Sequence, residues 1–388
     1  MALAENLQCC SNEASARSPE LDTSFHPETK TAVSRFHAPD GGASLVHTMN
    51  QQRKREQPNF QIPFVDFSKY LHGTAEERTQ CVSEIMKGFT SSGFLYLANS
   101  GLSPKSAYSW SEKYFALPTA EKIRHPNNSS AGNRGYSGLG IEKVTNLDLE
   151  TGGRESVQKL RATLPDIKES LEIGSDPGPR YPVKPFINYY PTALPGFEEA
   201  MRTFYEQCDD LHEQLLSAIA IGLNLEPSFF QEYIRGGDHV LRLLHYPAVP
   251  KTVLEQEGAV RAGAHTDYGT VTLLFQDGSG GLQVRTPEGK WMDVPPIEGA
   301  IVINAADMLQ IWTNDVIKST HHRVVSPPDA PTTEDGMFSA RYAIAYFGHP
   351  DHDRLVSTIE TCFDEARPKK YSPMMPEEWI VKRLASTY

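Results

Sequence analysis

The stretch RAGAHTDYGTVTLLFQD, Arg261–Asp277, is where the reading of this chain starts. Its second half, GTVTLLFQD, is a short β-like run between turn residues. His265 and Asp267 stand two apart just before it. In a strand, residues i and i+2 project from one face, so an imidazole and a carboxylate here can meet one ion with no loop distortion. The bland alternative is a surface histidine followed by an aspartate forming an Asx turn before Gly269. A second histidine on a later strand would separate the two readings.

KSTHHRVV, Lys318–Val325, offers two such histidines, His321 and His322. Adjacent residues of a strand face opposite ways, so one can join His265 and Asp267 while the other points away. Two His and one carboxylate on one side of a metal form the facial triad of non-haem iron(II) sites, which leaves positions open for other ligands. Zinc is the competing ion. Zinc hydrolases with this donor set commonly carry it as HExxH on a helix, a motif the chain lacks.

Outward from these stretches, the C-terminal half is a series of short β-like runs: HVLRLLHYP, GTVTLLFQD, GLQVRT, AIVINAAD, THHRVVS and SARYAIAYFG. Before them, helical patterns cover about Glu76–Ser91, Ser103–Phe115 and Gly196–Leu223. FVDF near Val65 and GFLYLANSGL read as early strands, and residues 125–195 as loop-rich. Helices followed by closely spaced strands predict an α+β fold. Inward-pointing ligand residues predict a double-stranded β-helix, or jelly-roll, barrel. Residues 1–58 are polar and aperiodic, as expected of a flexible tail. Residues 59–195 form an N-terminal helical and loop region. Residues 196–388 carry the long helix, the barrel and a C-terminal helix.

Composition narrows the function. With 388 residues, 39% of them hydrophobic, the chain can bury a sizeable core. A net charge of −12 argues against nucleic-acid or anionic-membrane partners, which require clustered Lys and Arg. The five cysteines have neither finger nor CxxC spacing, which points to a reducing, cytoplasmic setting. No signal peptide or membrane-length apolar run is read in the sequence. The oligomeric state is not legible.

Several motifs in order carry a resemblance. HTD with GTVTLLFQD, then GLQV, KSTHHRVV and RYAIAYF, resemble the isopenicillin N synthase-like family of Fe(II)/2-oxoglutarate-dependent oxygenases. Upstream, NRGYSGLGIEKV, DIKESLEIG and the PGF start of the long helix fit as well, while Ser100 replaces the histidine of the family's NHG turn. The likeness spans about residues 60–388. Its K-S-x-x-H-R-V pattern implies His265, Asp267 and His322 as metal ligands, with His321 turned away. It implies Fe(II), 2-oxoglutarate and O2 as cofactor and cosubstrates, with ascorbate as an auxiliary reductant.

The family grips the distal carboxylate of 2-oxoglutarate with an Arg-x-Ser pair. Here the resemblance implies Arg341, but Ala343 stands where the serine belongs. The lost hydroxyl donor is worth about 1 kcal/mol. Tyr246, and Ser339 on the expected face of Arg341's strand, are candidate replacements, and Leu282 and Val284 are the implied apolar walls. Asn304 and Asp307 are expected to make supporting contacts. Arg134, Tyr136, His245, Phe347 and the Trp379–Leu384 segment are candidate substrate walls. The implied activity is oxidation of a C–H bond of a small molecule in specialised metabolism, by hydroxylation, desaturation or cyclisation. The missing serine also admits an oxidase or cyclase that uses no 2-oxoglutarate. A non-catalytic binding protein on the same fold is the reading from a different class.

Overall fold

Two layers of strands enclose a cavity, and helices cover the larger layer from outside. The computed structural model describes residues 60–127, 133–142, 166–181, 187–254, 260–326, 332–333 and 335–387. The tail expected over residues 1–58 lies outside the described residues.

The N-terminal part begins with β1 (Phe64–Asp66), α1 (Ser68–His72) and α2 (Ala75–Ser91). Thr74 opens α2 with a reciprocal capping box to Glu77, and Cys81, Val82, Ile85 and Phe89 form its buried stripe. Next come β2 (Phe94–Ala98), α3 (Lys105–Phe115), α4 (Thr119–Lys122), β3 (Gly135–Ser137) and β4 (Glu169–Gly174). The region read as loop therefore supplies two sheet strands. The long helix α5 (Phe197–Gly222) starts after Gly196, whose φ of 89° suits glycine.

The strand series follows: β5 (Val240–Tyr246), β6 (Val249–Pro250), the short α6 (Lys251–Leu254), β7 (Ala262–His265), β8 (Val271–Gln276) and β9 (Leu282–Arg285). It continues through β10 (Trp291–Asp293), β11 (Ala300–Ala305), α7 (Asp307–Trp312), β12 (His322–Val324), β13 (Met337–Phe338) and β14 (Arg341–Phe347), and α8 (Pro376–Thr387) ends it. The large sheet has the order β1-β2-β11-β8-β14-β5-β4-β3, and the small sheet β10-β9-β12-β7. Their non-sequential neighbours give the expected jelly-roll.

Alternation along the strands divides the core in two. Leu241 and Leu243 of β5, Leu273 and Phe275 of β8, and Ile344 and Tyr346 of β14 pack outward with Phe204, Leu211 and Leu215 of α5. Leu244, Tyr246, Ala343 and Ala345 face inward, toward Leu282 and Val284 of the small sheet. Among the described residues, no helix is long and apolar enough to cross a membrane.

Candidate metal centre

His265 ends β7 and His322 begins β12, and these antiparallel strands place the two residues directly opposite each other. Their ring centroids are 4.3 Å apart. Asp267 is not on the strand, as the two-residue spacing had suggested, but in the turn after it. A different device holds it. The carbonyls of Asp267, Tyr268 and Gly269 accept the backbone N–H groups of Asp307, Met308 and Leu309 at 2.9, 3.2 and 3.3 Å. The turn thereby satisfies the otherwise unpaired donors at the start of α7 and is fixed by them.

The hydrogen bonds leave the right atoms exposed to an ion. Asp267 Oδ2 accepts from Thr272 Oγ1 at 2.6 Å and from Asn304 Nδ2 at 2.7 Å. Its Oδ1 faces the Nε2 atoms of His265 and His322 at 3.8 and 3.6 Å. His265 Nδ1 lies 2.8 Å from the Gly263 carbonyl, and His322 Nδ1 lies 3.2 Å from the Thr320 carbonyl. A carbonyl can only accept, so each Nδ1 donates and each Nε2 presents a lone pair. Burial, then the neighbouring His322, depresses the His265 pKa to about 3, so the ring is neutral and fit to ligate. Burial opposes ionisation of Asp267, yet His322, His265 and the Asn304 and Thr272 hydrogen bonds outweigh it and hold the carboxyl below its usual range. Three ligand atoms gathered on one side, one of them anionic, fit a divalent cation.

Asp209, His212 and His239 form a second cluster of the same donor types, fully buried beside α5. It does not suit an ion. His239 Nδ1 accepts the His349 backbone N–H at 2.9 Å, so the proton sits on Nε2, the atom 3.4 Å from Asp209. Asp209 also accepts from the Tyr181 and Tyr346 hydroxyls and lies 3.2 Å from Arg180. This is a hydrogen-bonded core network.

The first triad opens into a cavity of ≈ 180 Å³. Arg341 lines it and is 3% exposed, with Nε donating to the Gly280 carbonyl at 2.9 Å. Its guanidinium lies over the Tyr246 ring, 4.9 Å from the centroid. Both Nη atoms are buried without a hydrogen-bond partner. Two orphaned, charged donors aimed into a cavity call for an anion, and a carboxylate matches their fork. Tyr246, Leu282, Ala343, Arg134 and Phe347 line the same cavity.

Residues 237–350 match the 2OG-Fe(II) oxygenase superfamily, and residues 62–193 match the N-terminal region described as non-haem dioxygenase in morphine synthesis. The 2-oxoglutarate-Fe(II) type oxidoreductase ppzD of Metarhizium rileyi is 35% identical over 342 residues, which is 85% of this chain and 92% of that protein. The proline hydroxylase buaE of Petromyces alliaceus is 34% identical over 340 residues, 84% of this chain and 100% of that protein. The chain belongs to the 2OG-Fe(II) oxygenase superfamily. Among solved structures, a full-length Neurospora crassa protein in complex with alpha-KG and thymine is 41% identical, with TM-score 0.73 over 84% of this chain and 97% of that one. This superfamily member is accordingly a non-haem Fe(II)/2-oxoglutarate-dependent dioxygenase, and both sets of donors suit the iron and the cosubstrate.

Within the oxygenase fold, several expected site residues lie elsewhere. His245 is adjacent to Tyr246 on β5 and therefore faces outward, stacked on Tyr342 and 2.7 Å from Glu169. Tyr136 is also outside the cavity lining, with its hydroxyl donating to Glu169 at 2.5 Å. Val284, fully buried and paired with His322, shares the inner face with Leu282 but is covered and does not itself line the cavity. Ser339 precedes β14 and is exposed, so it does not stand in for the missing serine. The α8 segment contributes Ile380 and Val381 to the lining, and Trp379 does not reach it. Lys168, Arg242 and Asp238 line the cavity without having been singled out in the sequence. For Arg242 a signal existed, because it shares the Tyr246 face of β5.

Proposed function

We propose that His265, Asp267 and His322 are the protein ligands of Fe(II), and that Arg341, over Tyr246 and beside Leu282, binds the distal carboxylate of 2-oxoglutarate. One observation carries the reading. The metal-ready triad and the orphaned Arg341 guanidinium open into the same cavity. Bound iron, with 2-oxoglutarate and O2, supplies the oxidising power directed at a substrate C–H bond. The chain's own residues hold these partners, orient the substrate and keep water out.

The substrate is a small polar molecule. The cavity wall carries Arg134, Lys168, Arg242 and Asp238, side chains suited to hydrogen-bonding groups on a ligand. Lys168 is anchored to Glu142 and Asp166 at 3.0 and 3.5 Å, and Arg242 to Glu172 at 2.7 Å, so the wall is fixed before a ligand arrives. Thymine in the Neurospora structure and the proline named for buaE are molecules of this kind. The acidic chain supports a small-molecule partner over nucleic acid, and the buried free thiols Cys81, Cys208 and Cys362 suit a reducing cytoplasm. Specialised metabolism remains the proposed setting.

The test is anaerobic. Fe(II) and then 2-oxoglutarate, added to metal-free protein, should give a weak visible charge-transfer band that disappears in His322→Ala and Arg341→Ala. Iron binding without any band in the native protein would overturn the cosubstrate assignment.

A further inference from the structure

We propose that Arg261 is a positioning residue of the 2-oxoglutarate site, a second buried cation that strengthens capture of the distal carboxylate; this rests on the assignment of Arg341 above. Arg261 is 4% exposed. Its backbone N–H donates to the Val324 carbonyl at 3.1 Å. Its Nε donates to Ser326 Oγ at 3.3 Å, Nη1 to the Tyr246 carbonyl at 3.5 Å and Nη2 to the Ser339 carbonyl at 2.9 Å. One side chain thus joins the end of β5, the exit of β12 and the entry to β14, the segments that carry Tyr246, His322 and Arg341.

All of these acceptors are neutral. Hydrogen bonds to neutral groups satisfy the donors but do not cancel the charge. Among the described residues, neither Arg261 nor Arg341 forms an ion pair; Asp277, the acidic group whose charge acts on Arg261, accepts the Tyr342 backbone N–H instead. The two guanidiniums flank the same tyrosine. Arg341 lies over the Tyr246 ring and is its β-sheet partner, while Arg261 holds the Tyr246 carbonyl. Burial, and next the Arg341 charge, lower the Arg261 pKa, as expected of two like charges sharing a desolvated corner. An anion on Arg341 relieves that repulsion, so the field of Arg261 contributes to anion affinity. It does so where Ala343 has removed the hydroxyl donor that the resemblance implies.

The experiment measures binding to Mn(II)-loaded protein by calorimetry, with 2-oxoglutarate and with 2-oxobutyrate, which keeps the chelating oxoacid but lacks the distal carboxylate. Arg261→Gln should weaken 2-oxoglutarate about tenfold and leave 2-oxobutyrate and Mn(II) unchanged, and Arg261→Lys should recover most of the loss. Equal weakening of both oxoacids, or a lysine variant as weak as the glutamine one, would show a structural clamp and overturn the inference. If Arg261→Gln does not fold, the lysine variant and the ionic-strength dependence of native binding decide. The proposal then requires near-native affinity in the former and a steep salt dependence confined to 2-oxoglutarate in the latter. An Arg341→Ala control that leaves 2-oxoglutarate binding intact sinks the underlying assignment instead. A damaged control beside a silent Arg261→Gln sinks only this inference.

Discussion

His321 and His322 are adjacent, yet only one reaches the metal centre. His322 is 7% exposed, its ring meets Phe94 edge-on at 5.6 Å, and its Nε2 faces Asp267. The carbonyl of His321 accepts the Arg285 N–H at 2.8 Å, and its ring is absent from the triad. His322→Ala should therefore abolish the rise in melting temperature produced by Mn(II), whereas His321→Ala should retain it. The reverse pattern would exchange their roles. Ala343 permits a gain-of-function test, because it lies in the cavity lining near the Arg341 end of β14. Ala343→Ser should tighten 2-oxoglutarate binding about fivefold, the effect of about 1 kcal/mol from one added donor. Unchanged affinity would show that the hydroxyl cannot reach the carboxylate.

At the scale of elements, strand alternation explains most of the site and also why some expected wall residues lie outside the cavity lining. Arg341, Ala343, Ala345 and Phe347 of β14 line the cavity, while Ile344 and Tyr346 pack on the helices. The same two-residue period on β5 brings Tyr246 in and turns His245 out. Where a turn replaces a strand, periodicity stops being a guide, and α7 places Asp267 instead. The α2–β2 turn adds a steric constraint. Gly93 has φ +73°, and a Cβ there would sit 2.2 Å from the Lys318 carbonyl and 2.8 Å from Thr320 Oγ1. Gly93→Ala should cost roughly 1–3 kcal/mol and displace the segment leading to His322. Urea unfolding, together with the Mn(II)-induced melting shift, measures both effects; native values in both would refute the constraint.

For the whole molecule, buried neutral histidines tie stability to pH. Burial, and next the neighbouring His352, push the His349 pKa down to about 3, and His265 is likewise near 3. An unfolded histidine titrates near 6.5, so below that pH the unfolded chain gains protons that the folded metal-free protein refuses. Stability should fall as pH drops from about 6.5 toward 3, by about 2 kcal/mol per histidine between pH 7 and pH 5. Urea midpoints of metal-free protein at those two pH values test this, and His349→Gln should remove one histidine's share of the slope. An unaltered slope in that variant would show that His349 charges freely in the fold.

The sequence by itself determined the donor types and most of the helices and strands, because residue spacing is local, and its ordered motifs HTD, KSTHHRVV and RYAIAYF carried the resemblance to the family. It also marked the anomaly at Ala343. Only the tertiary structure decided which expected wall residues reach the cavity. Tyr136 and His245 turned out to bond Glu169, and Ser339 to lie outside. The physical reason is that several strands of the large sheet are buried on both faces, so inward and outward residues are both apolar or paired, and the usual in–out alternation of polarity is erased. Arg261 was silent for a related reason. Its partners come from β5, β12 and the approach to β14, segments distant in sequence that meet only when the barrel closes, and a buried charge becomes visible only once its neighbours are known.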